Sequence, residues 1–295
     1  MALIEYDLMG NCIDKVATAI QRLRAFEPPE GYYLAFFGGK DSTVLKALAD
    51  EAGVRYDAHY NATTVDPPEL VRFIREHHPD VEIVKPDIPM RKLIPMKRMP
   101  PTRLVRYCCS HYKEASGKER ITLTGVRWAE SVNRKKNQGL VTIIGGEKQA
   151  GTTTTGKGGQ VLNYDDAESR RTVESCYRTS KTMVNPIVDW TDDDVWEYIR
   201  TRNIPYCSLY DEGWKRLGCV GCPMGGRESM KREFERWPAI RNVYLRAFDE
   251  LLRVRRELQM PCEWETAEEV MAWWVGDAPE KQVAGQMTMW EEEQA

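Results

Sequence analysis

The run Tyr32-Tyr33-Leu34-Ala35-Phe36-Phe37-Gly38-Gly39-Lys40-Asp41-Ser42-Thr43-Val44-Leu45 constrains this chain more than any other. Its opening residues, Tyr32 to Phe37, have the length and aromatic content of a buried strand. Two glycines stop that strand, and Val44, Leu45, Ala47 and Leu48 then recur at helical spacing. Strand, glycine turn and helix start together aim backbone N–H groups and a positive helix end at an anion. Gly38 and Gly39 let the backbone approach a phosphate, Lys40 adds a point charge, and Ser42 and Thr43 add hydroxyls. Asp41 beside a phosphate calls for a cation between them, Mg²⁺ first. The mononucleotide P-loop is excluded, because it needs a longer gap before its Gly-Lys-Ser/Thr end. The competing reading is an ordinary strand–turn–helix with a chance glycine pair.

The chain has 295 residues, 42% hydrophobic and 29% charged, with a net charge of −3. That length can bury a full core, and the composition is that of a globular protein. The charge leaves room for a nucleic-acid site only as a local patch. Met1 to Val16 lacks a basic segment followed by an apolar one, and no apolar run reaches membrane-spanning length, so the expected location is the cytoplasm. The eight cysteines are then expected as thiols rather than as a disulfide framework.

Taken in order, residues 3–26 carry an amphipathic helical period that Pro28 and Pro29 end. Strands are expected at 54–62, 80–85 and 120–125, with a helix opening at Pro67 and Pro68. This alternation predicts an α/β fold: a parallel twisted sheet with helices on both faces and ligands at the strands' C-terminal ends. Asp41 and Asp66 fall on that edge, as do Arg127 and Arg134, whose guanidinium forks suit phosphate or sulfate oxygens. Residues 86–101 read as a covering loop, and the Gly/Thr-rich run 145–159 as a mobile loop or hairpin tip. Arg170, Arg171, Arg178 and Lys181 form the most basic segment. Thr191 is a good N-cap, which explains Asp192 to Asp194 as first-turn acids rather than as a metal site. The sheet pattern stops near residue 206. A nucleotide-binding domain over 1–206 and a helical C-terminal extension over 207–295 follow.

Cys12 and Cys262 read as buried, inert thiols. Cys108, Cys109, Cys219 and Cys222 differ, because two close pairs far apart in sequence can converge on one metal centre. Glycines around Cys219 and Cys222 make a tight knuckle whose backbone N–H groups would tune a cluster. A [4Fe–4S] cluster leads, with zinc and unligated thiols as alternatives.

The loop resembles the pyrophosphate loop Ser-Gly-Gly-X-Asp-Ser of the adenine-nucleotide α-hydrolase superfamily, with Phe37 where a serine usually stands. Cys108-Cys109 with Lys113, Gly125-Val126-Arg127, Asn185 to Thr191 with Asp194-Val195-Trp196, and Gly218 to Pro223 together resemble the phosphoadenosine phosphosulfate (PAPS) reductase family over roughly residues 30–225. The paired cysteines look like those of the cluster-bearing adenylyl sulfate reductases. That resemblance implies a [4Fe–4S] cluster on Cys108, Cys109, Cys219 and Cys222, and chemistry at an adenine nucleotide carried by Lys40, Asp41 and Ser42. Gly38, Gly39, Thr43, Asp66, Arg127 and Arg134 would then hold the nucleotide. The reductases attack sulfate with a cysteine in a Glu-Cys-Gly-X-His segment. No such segment occurs here, and Cys262 is the last cysteine. The expected function is therefore an ATP pyrophosphatase that uses Mg²⁺ and ATP or another adenine nucleotide. Sulfur transfer to a nucleic-acid or small-molecule acceptor, with a redox or sulfur-donor protein as partner, is the expected extension. A sulfonucleotide reductase and a non-catalytic nucleotide-binding module are the alternatives.

Overall fold

A computed structural model describes residues 3–6, 9–113, 116–117, 119–144, 153–154 and 159–276. The chain opens with a hairpin, β1 (Ile4–Tyr6) paired antiparallel to β2 (Cys12–Asp14), and helix α1 (Lys15–Ala25) follows. The expected helix from residue 3 is therefore shorter. Asp14 caps α1 by accepting from the N–H groups of Val16 and Ala17, and Gly10 turns the chain at a φ of +82°.

The core is built from β3 (Tyr32–Ala35), α2 (Lys40–Ala52), β4 (Tyr56–Asn61), α3 (Pro68–His77) and β5 (Glu82–Val84). All four residues of β3 are buried, as its unbroken apolar run requires. Next come α4 (Met90–Lys97), α5 (Tyr107–Tyr112), β6 (Thr122–Leu123), α6 (Val132–Asn137), β7 (Val141–Ile144), β8 (Thr153–Thr154), β9 (Gln160–Leu162), α7 (Ala167–Cys176), β10 (Lys181–Val184) and α8 (Asp192–Thr201). The last helices are α9 (Arg227–Arg236), α10 (Pro238–Glu257) and α11 (Ala267–Val275).

Eight strands form one sheet in the order β5-β4-β3-β6-β10-β7-β9-β8. The pairs from β5 to β10 are parallel, and those from β10 to β8 are antiparallel. Helices cover both sides of this mostly parallel sheet. From β3 the chain runs through α2 to β4 on one flank, while β6 pairs on the other flank. The space beyond the C-terminal ends of β3 and β6 is thus a topological switch point, the usual ligand position in an open α/β sheet.

The antiparallel arm β7–β9–β8 is absent from the sequence expectations, because its strands are short and the alternation of strands and helices signals only parallel pairing. It flanks the Gly/Thr run, of which residues 145–152 and 155–158 lie outside the described residues. The expected loop at 86–101 contains α4, which buries Met90, Leu93 and Ile94 at helical spacing despite Pro95.

The chain divides into two compact units, one of residues 1–89 and 107–219, the other of 90–106 and 220–295. The sequence boundary near 206 differs from this division on two counts. The segment up to Cys219 belongs with the sheet, and the α4 segment joins the C-terminal helices. Within the second unit α10 packs along α4, and Trp274 donates to the Pro101 carbonyl at 2.6 Å. Phe234, Tyr244, Phe248 and Trp274 form its aromatic core, which accounts for the helical, Trp-rich character of this part of the sequence.

Candidate functional site

The turn after β3 is shaped by Gly38. Its φ is +69°, and a Cβ there would lie 2.8 Å from Leu70 Cδ1 and 2.9 Å from Ile74 Cδ1 of α3. Both the backbone and the close packing of α3 thus require glycine. Gly39 is the N-cap of α2 and offers no side chain, so the first-turn N–H groups lack a side-chain cap from this residue. Ser42 braces the turn from inside: its Oγ accepts from the Phe37 N–H at 3.2 Å and donates to the Gly39 carbonyl at 3.0 Å. It is a structural clip for the loop rather than an open hydroxyl. Thr43 is buried, and its Oγ1 has no hydrogen-bond partner among the described residues.

Lys40 is only 6% exposed and opens α2. Its ammonium stands 3.7 Å from Asp41 Oδ2 and 3.6 Å from Asp192 Oδ1. Arg127, 1% exposed, ties the same two acids together. Its Nε donates to Asp41 Oδ1 at 2.7 Å, its Nη2 to Asp192 Oδ1 at 2.5 Å, and its Nη1 to the Trp190 carbonyl at 3.2 Å. Burial works against the Arg127 charge, but Asp41 and Asp192 outweigh it and raise its pKa. Partial burial likewise works against the Asp192 charge, and Arg127 and Lys40 lower its pKa on balance. Two cations and two anions therefore form one compensated network around the start of α2. Gly125, just past β6, closes the switch point: a Cβ there would meet the Asp41 carbonyl oxygen at 2.9 Å.

This arrangement modifies several sequence expectations. Arg127 is an internal clamp on Asp41 and Asp192 rather than an open guanidinium. Asp41 is engaged by Arg127 and Lys40, so its carboxylate is not held out for Mg²⁺. Two of the three acids at the start of α8 also act at long range, beyond local capping. Asp192 enters the loop network, and Asp194 forms a capping box with Thr191 and pairs with Lys15 at 2.8 Å. Arg134, on α6, pairs with Glu130 at 3.0 Å, and burial lowers its pKa. Tyr210, which nothing local in the sequence singles out, accepts the Lys40 N–H at 2.8 Å.

A second cluster gathers beside the loop. Cys108 and Cys109 lie on α5, and Cys219 ends the first unit; all three are partly buried. Cys219 is within hydrogen-bonding reach of Lys113. Burial opposes the Lys113 charge, but Cys219, Asp66 and Cys109 more than offset it and raise its pKa. Asp66 accepts from the Thr63 N–H at 2.6 Å and from Thr63 Oγ1 at 2.8 Å, so it closes its own turn and belongs electrostatically with the thiols. The Lys113 ammonium lies 5.1 Å from the centre of the Phe37 ring, linking this cluster to the loop.

Cys222 belongs to the second unit. There Gly221 turns the knuckle at a φ of +71°, and its N–H donates to Glu233 Oε2 at 2.6 Å, so this amide is not the exposed donor expected from the glycine pattern. Cys12 and Cys262 are exposed, which corrects the reading of both as buried thiols; Cys176 and Cys207 are the buried ones. Among the described residues, no three His, Cys, Asp or Glu side chains are placed to hold a single metal ion. Within the first unit, Cys108, Cys109 and Cys219 are the thiols that would serve as cluster ligands, and the Lys113 ammonium beside them would offset a net negative charge.

The model of the phosphoadenosine phosphosulfate reductase domain matches residues 31–224, from β3 through the Cys219–Cys222 knuckle. The chain belongs to this family. It is therefore a member of an enzyme family of sulfur metabolism. An uncharacterized protein of Methanocaldococcus jannaschii is 25% identical over 234 residues, which span 74% of this chain and 49% of that protein. An adenosine 5'-phosphosulfate reductase of Staphylococcus haemolyticus is 22% identical over 183 residues, 61% of this chain and 63% of that one. The chain thus spans about half to under two thirds of these curated relatives. Among solved structures, the U34-tRNA thiolase of Methanococcus maripaludis with its [4Fe–4S] cluster is similar at a TM-score of 0.41 and 10% identity, covering 87% of this chain and 86% of that one. No helix among the described residues is long and apolar enough to cross a membrane.

Proposed function

We propose that this PAPS reductase family member binds an adenine nucleotide at the N-terminus of α2 and acts at its α-phosphate as an ATP pyrophosphatase. The observation that carries the reading is a nearly buried Lys40 at a helix start whose N-cap glycine supplies no side-chain cap, set at the switch point of the sheet. There the first-turn N–H groups, the helix dipole and the Lys40 ammonium favour the β- and γ-phosphates. Attack by an acceptor oxygen on the α-phosphorus forms the new P–O bond and breaks the α–β bridge. The electron pair leaves with pyrophosphate, whose growing charge Lys40 offsets. Asp41, Arg127 and Asp192 hold that ammonium and the loop in register. Mg²⁺ would enter with the nucleotide, since Asp41 is committed to Arg127 and Lys40.

Cys108, Cys109, Cys219 and Cys222 would hold a [4Fe–4S] cluster, which when bound supplies redox or sulfur-handling chemistry. Lys113 would stand between that charge and Phe37 on the loop. The acceptor is then a nucleic acid or a small molecule that takes sulfur after adenylylation, served by a redox or sulfur-donor protein. Eight cysteines without a disulfide suit a reducing compartment such as the cytoplasm.

The exposed Cys262 thiol, with relatives described as adenosine 5'-phosphosulfate reductases, supports a second reading as a sulfonucleotide reductase. Anaerobic incubation with ATP, adenylyl sulfate or PAPS separates the two. AMP and pyrophosphate from ATP, retained in Cys262→Ser, is the expected result. Sulfite from a sulfonucleotide, lost in that variant while its fold persists, would make the reductase reading the correct one.

A further inference from the structure

The Tyr210 hydroxyl meets the nucleotide loop at one point and has one valence left over. Its oxygen accepts the Lys40 N–H at 2.8 Å, and a phenol has a proton to donate as well. Among the described residues that proton has no acceptor. The position is held tightly. A Cβ on Gly39 would lie 3.4 Å from the hydroxyl oxygen, and the Lys40 ammonium lies 5.9 Å from the ring centre. On the far side the ring is packed edge-on against Trp196 at 5.2 Å and Tyr206 at 6.4 Å. Tyr210 itself belongs to a short 3₁₀ turn, Ser208–Tyr210, that contacts α3, the helix packed beneath Gly38. Burial raises the phenol pKa, the Lys40 amide opposes it in part, and Asp41 adds a lesser contribution in the raising direction. The group therefore stays protonated at neutral pH.

A part-buried phenol proton without an acceptor among the described residues, beside a glycine and a lysine at a helix start, is placed to meet an anion there. We infer that Tyr210 is an anion-contacting residue of this site, its oxygen ordering the Lys40 amide and its proton donated to a phosphate oxygen of the bound pyrophosphoryl group. This rests on the reading of the loop as a nucleotide site and adds a neutral donor to its amides and ammonium. The orienting role follows from the same geometry. By accepting the Lys40 N–H, the phenol fixes the first residue of α2 and with it the direction of the lysine stem.

Inorganic pyrophosphate is the probe, used on the full chain. Calorimetry should show its affinity falling about tenfold or more in Tyr210→Phe, the scale of a hydrogen bond to a charged group, while adenosine affinity stays within about twofold. In wild-type protein carrying ¹³C at the tyrosine ζ-carbons, the resonance missing from Tyr210→Phe should shift on pyrophosphate titration. The Tyr210 hydroxyl proton should also become protected from exchange with water when pyrophosphate binds, which a purely structural tyrosine would not show. If the variant does not fold, the wild-type titration decides, with Tyr210 assigned through the backbone by triple-resonance NMR. Pyrophosphate binding with an unmoved Tyr210 resonance, or with equal affinity in Tyr210→Phe, overturns the proposal and leaves the loop reading standing. No pyrophosphate binding by the wild type overturns both.

Discussion

Replacing Arg127 by methionine removes the cation that joins Asp41 to Asp192 while keeping much of the buried volume. Breaking a buried ion pair from one side costs about 3–5 kcal/mol when the remaining charge has no other recourse. Here it has some. The Asp192 side chain is 66% exposed and Asp41 is 25% exposed, so water screens both, Asp192 far more. The Lys40 ammonium, already within 3.7 Å of Asp41 and 3.6 Å of Asp192, can close on either. The Trp190 carbonyl loses its donor, at about 1 kcal/mol. We expect a net loss of roughly 2–4 kcal/mol in urea unfolding, equivalent to a fall in Tm of about 3–10 °C. Asp192→Asn should cost no more than about 1 kcal/mol, because its carboxylate is mostly in water. Arg127→Lys should fall between them, since an ammonium cannot reproduce the fork. Once Arg127 is gone, Lys40 is drawn towards the acids, so pyrophosphate affinity should also drop about tenfold in calorimetry. An Arg127→Met protein within about 1 kcal/mol of wild type, or an Asp192→Asn loss of the same size as Arg127→Met, would refute the clamp.

Gly125→Ala forces a Cβ to within 2.9 Å of the Asp41 carbonyl oxygen. Its stability in urea unfolding should fall by about 1–3 kcal/mol of overpacking, while pyrophosphate affinity falls several-fold. Unchanged affinity would show that Gly125 does not set the loop. Burial lowers the His78 pKa from 6.5 to about 4, with Lys46 adding to the shift. Its contribution to stability is full above about pH 6.5 and is lost as the pH falls through the folded value. Wild type should lose about 2–3 kcal/mol from this group between those limits, and His78→Phe should flatten the urea-stability profile there. Parallel profiles for the two proteins would contradict the assignment. Anaerobically purified protein should be brown, with about four irons and four labile sulfides per chain, and Cys109→Ser should lose them. Stoichiometric zinc without sulfide would replace the cluster with a single ion.

Features set by neighbouring residues were legible in the sequence. A buried apolar run ending in two glycines specifies β3, its turn and α2, because strand burial, positive φ and helical spacing act over neighbouring residues. Alternating strands and helices specified the parallel half of the sheet, and a Thr N-cap with first-turn acids specified α8. Family membership was legible because its motifs are contiguous stretches. Which of those residues face one another depends on long-range packing. Arg127 reads as a phosphate fork until the sheet brings Asp41 and Asp192 to it across 86 and 65 residues. Asp192 reads as a helix-start acid until Lys40 approaches it, and Tyr210 has no signal until its hydroxyl meets the Lys40 amide across 170 residues. The antiparallel β7–β9–β8 arm and the inclusion of α4 among the C-terminal helices also escape the pattern. Short strands and a proline-containing helix have weak local signals, and long-range packing overrides them.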